Sequence, residues 1–83
     1  MIQIKVLLFS VLRDLAETDE ISLELAESQT CIADAIQTIY SRYPEIQKWD
    51  SKLLVALNGA YTDRGSDLSD GDELALMPPV QGG

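Results

Sequence analysis

Eighty-three residues make one domain, a size that buries only about 60% of its unfolded surface and leaves little room for a second core or a deep pocket of its own. Six basic residues against fourteen acidic ones give a net charge of −8, which disfavours nucleic acid and anionic membranes as partners and favours proteins with a basic face. The composition is that of an ordinary globular domain, without an apolar run of bilayer-spanning length or a leader-like segment ahead of the first strand pattern, and its single cysteine excludes an internal disulfide and agrees with a reducing cytoplasm.

The chain opens on an alternating pattern from Met1 to Phe9. Ile2, Ile4, Val6 and Leu8 fall on one face of a strand and Gln3, Lys5, Leu7 and Phe9 on the other. The second face begins polar and turns apolar, so the far end of this strand is greasy on the side that should meet water. Val11 to Ala16 reads as a short helical turn, Glu17 to Asp19 as a polar turn, and Glu20 to Leu25 as a second strand with Ile21, Leu23 and Leu25 buried. Next comes the one long helical pattern, carried by Ile32, Ala35, Ile36, Ile39 and Tyr43. Thr30 is the expected N-cap, Asp34 complements the helix dipole in the first turn, and Pro44 stops the helix near Tyr43. Glu45 to Ser51 has no clear period, and its Trp49 reads as a cover for the core edge.

Leu53 to Leu57 reads as a third strand, Asn58-Gly59 as a tight hairpin turn, and Ala60 to Thr62 as a short return strand. A polar loop follows, with Leu68 as its apolar plug and Asp70-Gly71-Asp72 as a tight turn into the last strand, Glu73 to Met77. Parity puts Leu74 and Leu76 in the core and Ala75 and Met77 outside. The order predicts an α+β fold: one mixed sheet of about five strands with one main helix on one face. The domain spans residues 1–77, and residues 78–83 form a tail. The uncovered face carries Leu7, Phe9 and Met77, with Tyr61 beside them, and an apolar surface there is expected to be a docking face for partners.

The tail reads Pro78-Pro79-Val80-Gln81-Gly82-Gly83. Two prolines hold its exit extended, and two glycines remove every side chain from its last positions. At about 3.1 Å per residue, Val80 to Gly83 reach roughly 12 Å, enough to enter another protein's pocket. Elsewhere the chemistry is thin. There is no histidine, so the usual general base near neutral pH is absent, and no metal cluster can be assembled around one cysteine. Asp70 and Asp72 lack the pattern of a calcium loop. Cys31, beside the helix start, reads as a small packing residue and not as the reactive group. No independent active site is expected. What remains is the carboxylate of Gly83, a poor electrophile until activated, for instance as an acyl-adenylate made by an ATP-using partner.

Together with the predicted sheet, the run Leu12-Arg13-Asp14-Leu15-Ala16, Asn58-Gly59, the stretch Leu68-Ser69-Asp70-Gly71-Asp72-Glu73 and the Pro-Pro to Gly-Gly ending closely resemble the small, sulfur-carrying subunits of molybdopterin synthase over the whole chain. Glu17 departs from them, since that position is often glycine. The resemblance implies a ubiquitin-like β-grasp fold with the first and last strands as parallel neighbours, placing Phe9 and Met77 side by side at the root of the tail. It implies that Gly83 is adenylated by an activating enzyme related to those of ubiquitin, receives sulfur from a donor protein as a thiocarboxylate, and enters the large synthase subunit in an assembly of two copies of each subunit. There sulfur passes to cyclic pyranopterin monophosphate in molybdenum cofactor biosynthesis. On this reading the chain binds no cofactor itself; ATP is used by the activating partner, sulfur rides covalently on Gly83, and the catalytic side chains belong to the large subunit. Two other readings share the tail: a sulfur carrier of the thiamine pathway, and a ubiquitin-like modifier joined to lysines.

Overall fold

The computed structural model describes residues 1–78. Five strands and two α-helices appear in chain order: β1 Ile2–Leu8, α1 Val11–Ala16, β2 Glu20–Leu25, α2 Ile32–Arg42, a 3₁₀ helix Pro44–Lys52, β3 Leu54–Leu57, β4 Ala60–Tyr61 and β5 Glu73–Met77. The strands form one sheet in the order β2-β1-β5-β3-β4. β1 and β5 pair in parallel, with Leu8 level with Leu76, while the other pairings are antiparallel. The single mixed sheet is the one expected from the pattern, and the parallel pairing of first and last strands the one the resemblance implied; the alternation in each strand fixes which of its faces is buried.

Ile4, Val6 and Leu8 of β1, Ile21, Leu23 and Leu25 of β2, and Leu74 and Leu76 of β5 are all buried. They meet Ile32, Ala35, Ile36 and Ile39 of α2, which lie at helical spacing on its inner face. Leu12 of α1, Ile46 of the 3₁₀ helix and Leu68 of the long loop complete the core. No helix among the described residues is long and apolar enough to cross a membrane.

Three local readings are corrected. The N-cap of α2 is Cys31 and not Thr30: the Cys31 carbonyl takes the first helical bonds from Asp34 and Ala35, and its N–H donates to the Asp34 carboxylate at 3.3 Å. The Thr30 carbonyl, which a cap residue would offer to the helix, instead accepts the Leu68 N–H at 2.6 Å. At the other end Tyr43 caps the helix half-buried, and it is Tyr40 that enters the core. The stretch after it is not irregular but a nine-residue 3₁₀ helix started by Pro44; its shorter period hides it from a search for 3.6-residue spacing. Trp49 does pack against the core edge.

Gly71 has φ +86°, a conformation that glycine adopts without strain. Its neighbours lock the loop to the start of the sheet: the Gln3 N–H donates to Asp70 Oδ1 at 2.8 Å, and the Gly71 N–H donates to the Gln3 carbonyl at 2.7 Å. Asp72 accepts from the Ser69 N–H at 2.7 Å and from the Asn58 side-chain amide at 3.0 Å. The two aspartates thus serve as turn acceptors. Asn58 and Gly59, with φ of 51° and 88°, make the hairpin turn between β3 and β4.

Candidate functional site

The face of the sheet away from α2 carries an apolar groove of about 330 Å³. Leu7 and Phe9 line it from β1 and the residue beyond, Ala75 and Met77 from β5, Ala56 from β3, and Tyr61 from β4. Strand parity, set by burial of Val6, Leu8, Leu74 and Leu76, is what sends these side chains outward together. Phe9 is 44% exposed and Tyr61 73%, large areas for aromatic rings. The four residues expected on the uncovered face, Leu7, Phe9, Tyr61 and Met77, therefore share one concavity. Parity reasoning overlooked Ala56 on its floor and Leu54 beside it, exposed and level with Met77.

Backbone geometry holds Phe9 there. Ser10 takes φ 57° and ψ −129°, a conformation unfavourable to a residue with a Cβ. It turns the chain so that Leu12, three positions after Phe9, enters the core while its N–H donates to the Phe9 carbonyl at 3.1 Å. Glu17 closes α1 in the left-handed region at φ 60°, with its N–H on the Arg13 carbonyl. A glycine would enter that conformation without the steric cost a Cβ brings.

Met77 ends β5, and Pro78 follows it half-buried. The groove thus lies where the chain leaves the sheet. The remaining tail positions, Pro79, Val80, Gln81, Gly82 and Gly83, lie outside the described residues.

A second cluster went unread in the sequence because its members are far apart along the chain. Tyr40 of α2 donates its hydroxyl to Asp50 Oδ1, and Arg64 of the long loop donates to the same oxygen at 2.6 Å and to the Asp50 carbonyl. Burial, reinforced by the Asp50 carboxylate, pushes the Tyr40 phenol up to about 12. The Tyr40 and Arg64 hydrogen bonds hold Asp50 below its ordinary value, and the same bond holds Arg64 above its own. A phenol this hard to ionise is a clasp and not a base. The half-buried Cys31 thiol donates to the Arg64 carbonyl at 2.9 Å, attaching the same loop to the start of α2. Among the described residues no three potential metal ligands converge.

The ThiS family model matches residues 6–83. The chain belongs to the ThiS family. Within it, this chain is 36% identical to the molybdopterin synthase sulfur carrier subunit of Chlamydomonas reinhardtii, covering 98% of this chain and 99% of the relative. Among solved structures, it resembles a putative molybdopterin converting factor subunit 1 from Pyrococcus furiosus, with a TM-score of 0.86, 31% identity and coverage of 96% and 100% of the two chains. It also resembles small archaeal modifier protein 1 from Haloferax volcanii, with a TM-score of 0.85, 26% identity and coverage of 98% and 99%. The ThiS-family fold of this chain is the ubiquitin-like β-grasp, with the mixed five-stranded sheet and helix described above.

Proposed function

We propose that this ThiS-family chain is the sulfur carrier subunit of molybdopterin synthase, working in the cytoplasm and carrying sulfur on Gly83. The observation that carries the reading is its likeness, over nearly its whole length, to relatives named as that subunit. The family match includes the Gly82-Gly83 pair.

The chemistry follows from the inertness of a carboxylate. An oxygen of the Gly83 carboxylate attacks the α-phosphate of ATP on an activating adenylyltransferase, releasing pyrophosphate. Hydrosulfide released by a donor protein then attacks the acyl carbon and displaces AMP, leaving a thiocarboxylate whose sulfur is a softer nucleophile than oxygen. The tail Pro78, Pro79, Val80, Gln81 and Gly82 threads this group into the large subunit, in an assembly of two copies of each. There the thiocarboxylate sulfur bonds to a side-chain carbon of cyclic pyranopterin monophosphate, water cleaves the thioester so formed and restores the Gly83 carboxylate, and two such deliveries build the dithiolene. The groove of Leu7, Phe9, Tyr61 and Met77 is the docking face in both encounters, since apolar side chains of this size gain when a partner removes them from water.

The decisive experiment deletes Gly83. The shortened chain is expected to melt like the parent and to lose both adenylation and conversion of the pterin substrate, read by mass spectrometry of the protein and by product formation. A chain ending at Gly82 that is still charged with sulfur overturns the assignment. The likeness to an archaeal modifier favours one second reading, isopeptide linkage of Gly83 to lysines. Conjugates surviving on a denaturing gel would establish it.

A further inference from the structure

Resting on the docking-face reading, we infer that Glu73 is the charged latch of that face, taking a lysine or arginine that the partner presents beside the apolar side chain filling the groove. Among the described residues that line the groove, Glu73 is the one with an ionisable carboxylate, and it is exposed. Lys5 stands level with it in the parallel ladder, yet the Lys5 ammonium lies 4.0 Å from Glu20 instead. No cation among the described residues lies within ion-pair distance of Glu73.

Its stem is fixed on both sides. The Glu73 N–H donates to Asn58 Oδ1 at 2.9 Å, and the Asn58 N–H donates to the Glu73 carbonyl at 2.8 Å. The carboxylate therefore leaves a rigid hairpin corner, so little backbone freedom is lost when a cation is bound. A free carboxylate at the edge of an apolar groove becomes a strong recognition element once a partner's apolar surface excludes water from it. A second copy of this chain is a poor occupant, because it would bring another Glu73 and a net charge of −8 to the same face.

The test titrates the purified large synthase subunit with the full-length chain at low and high ionic strength. Glu73→Gln should weaken binding roughly tenfold at low salt and flatten its salt dependence, and Glu73→Lys should weaken it further. Glu24→Gln, exposed on β2 opposite Gln3, should stay within about twofold of the parent. All three should melt like the parent. Parent-like affinity and salt dependence for Glu73→Gln overturn the latch, provided that Phe9→Lys in the same assay weakens binding; if Phe9→Lys also binds like the parent, it is the docking face that fails. A dimer of the chain in sedimentation that Phe9→Lys disperses would assign the groove to self-association and also overturn the latch.

Discussion

The Tyr40 hydroxyl enters a buried position with the Asp50 carboxylate as its acceptor, and both groups titrate away from their ordinary values as a result. The phenol is raised from 10.0 to about 12, so its contribution to stability is complete below pH 10 and is lost as pH rises through about 12. Asp50 is lowered, so its contribution is present above the ordinary carboxylate range and is lost as pH falls through its depressed value. Tyr40→Phe should cost about 1–2 kcal/mol at neutral pH, several degrees in a domain of this size. Melting curves from pH 6 to 12 check the sign: the gap between parent and variant should hold to pH 10 and then close. A gap that widens above pH 10 would mean that the phenol is not held protonated by the fold.

Within β1 and β5 one alternation decides which side chains build the protein and which face outward. Val6 and Leu76 are fully buried, whereas Phe9 is exposed and Met77 half-exposed on the opposite face. Phe9→Lys and Met77→Lys should therefore melt close to the parent and weaken partner binding more than tenfold, since each side chain contributes roughly 1.5–3 kcal/mol when covered. Leu76→Lys should unfold the domain by burying an unpaired charge. Thermal melting and titration with each partner separate the two outcomes. This division was legible because a period of two leaves no freedom about facing: β1, β2 and β5 fall within a residue of the strands their alternation predicts. What escaped was set by tertiary contact. Cys31 takes the cap in place of Thr30, whose carbonyl is bonded to the loop at the Leu68 N–H, and Asp50 finds Arg64 fourteen residues away. Nor does the sequence show that Lys5 turns to Glu20 and leaves Glu73 free. Neighbours in space, not along the chain, made those choices.

At the scale of the molecule, the sheet cannot be completed until the last strand arrives, because β5 lies between β1 and β3 and carries Leu74 and Leu76 into the core. The pairing of β1 with β5 also joins segments from opposite ends of the sequence, so loop closure precedes much of the stabilisation. A chain truncated after Pro78 should keep the parent's melting temperature within about 2 °C, whereas one truncated after Asp72 should show no cooperative transition. Circular dichroism during heating reads both, and a folded chain ending at Asp72 would contradict the central role of β5. The position of β5 has a mechanical consequence as well. A pull along the chain beyond Met77 loads β5 lengthwise between two ladders, one parallel and one antiparallel, whose hydrogen bonds run across the direction of force. Such a strand must shear many bonds at once and cannot be peeled off one by one, so the body should stay folded when its C-terminal end is pulled.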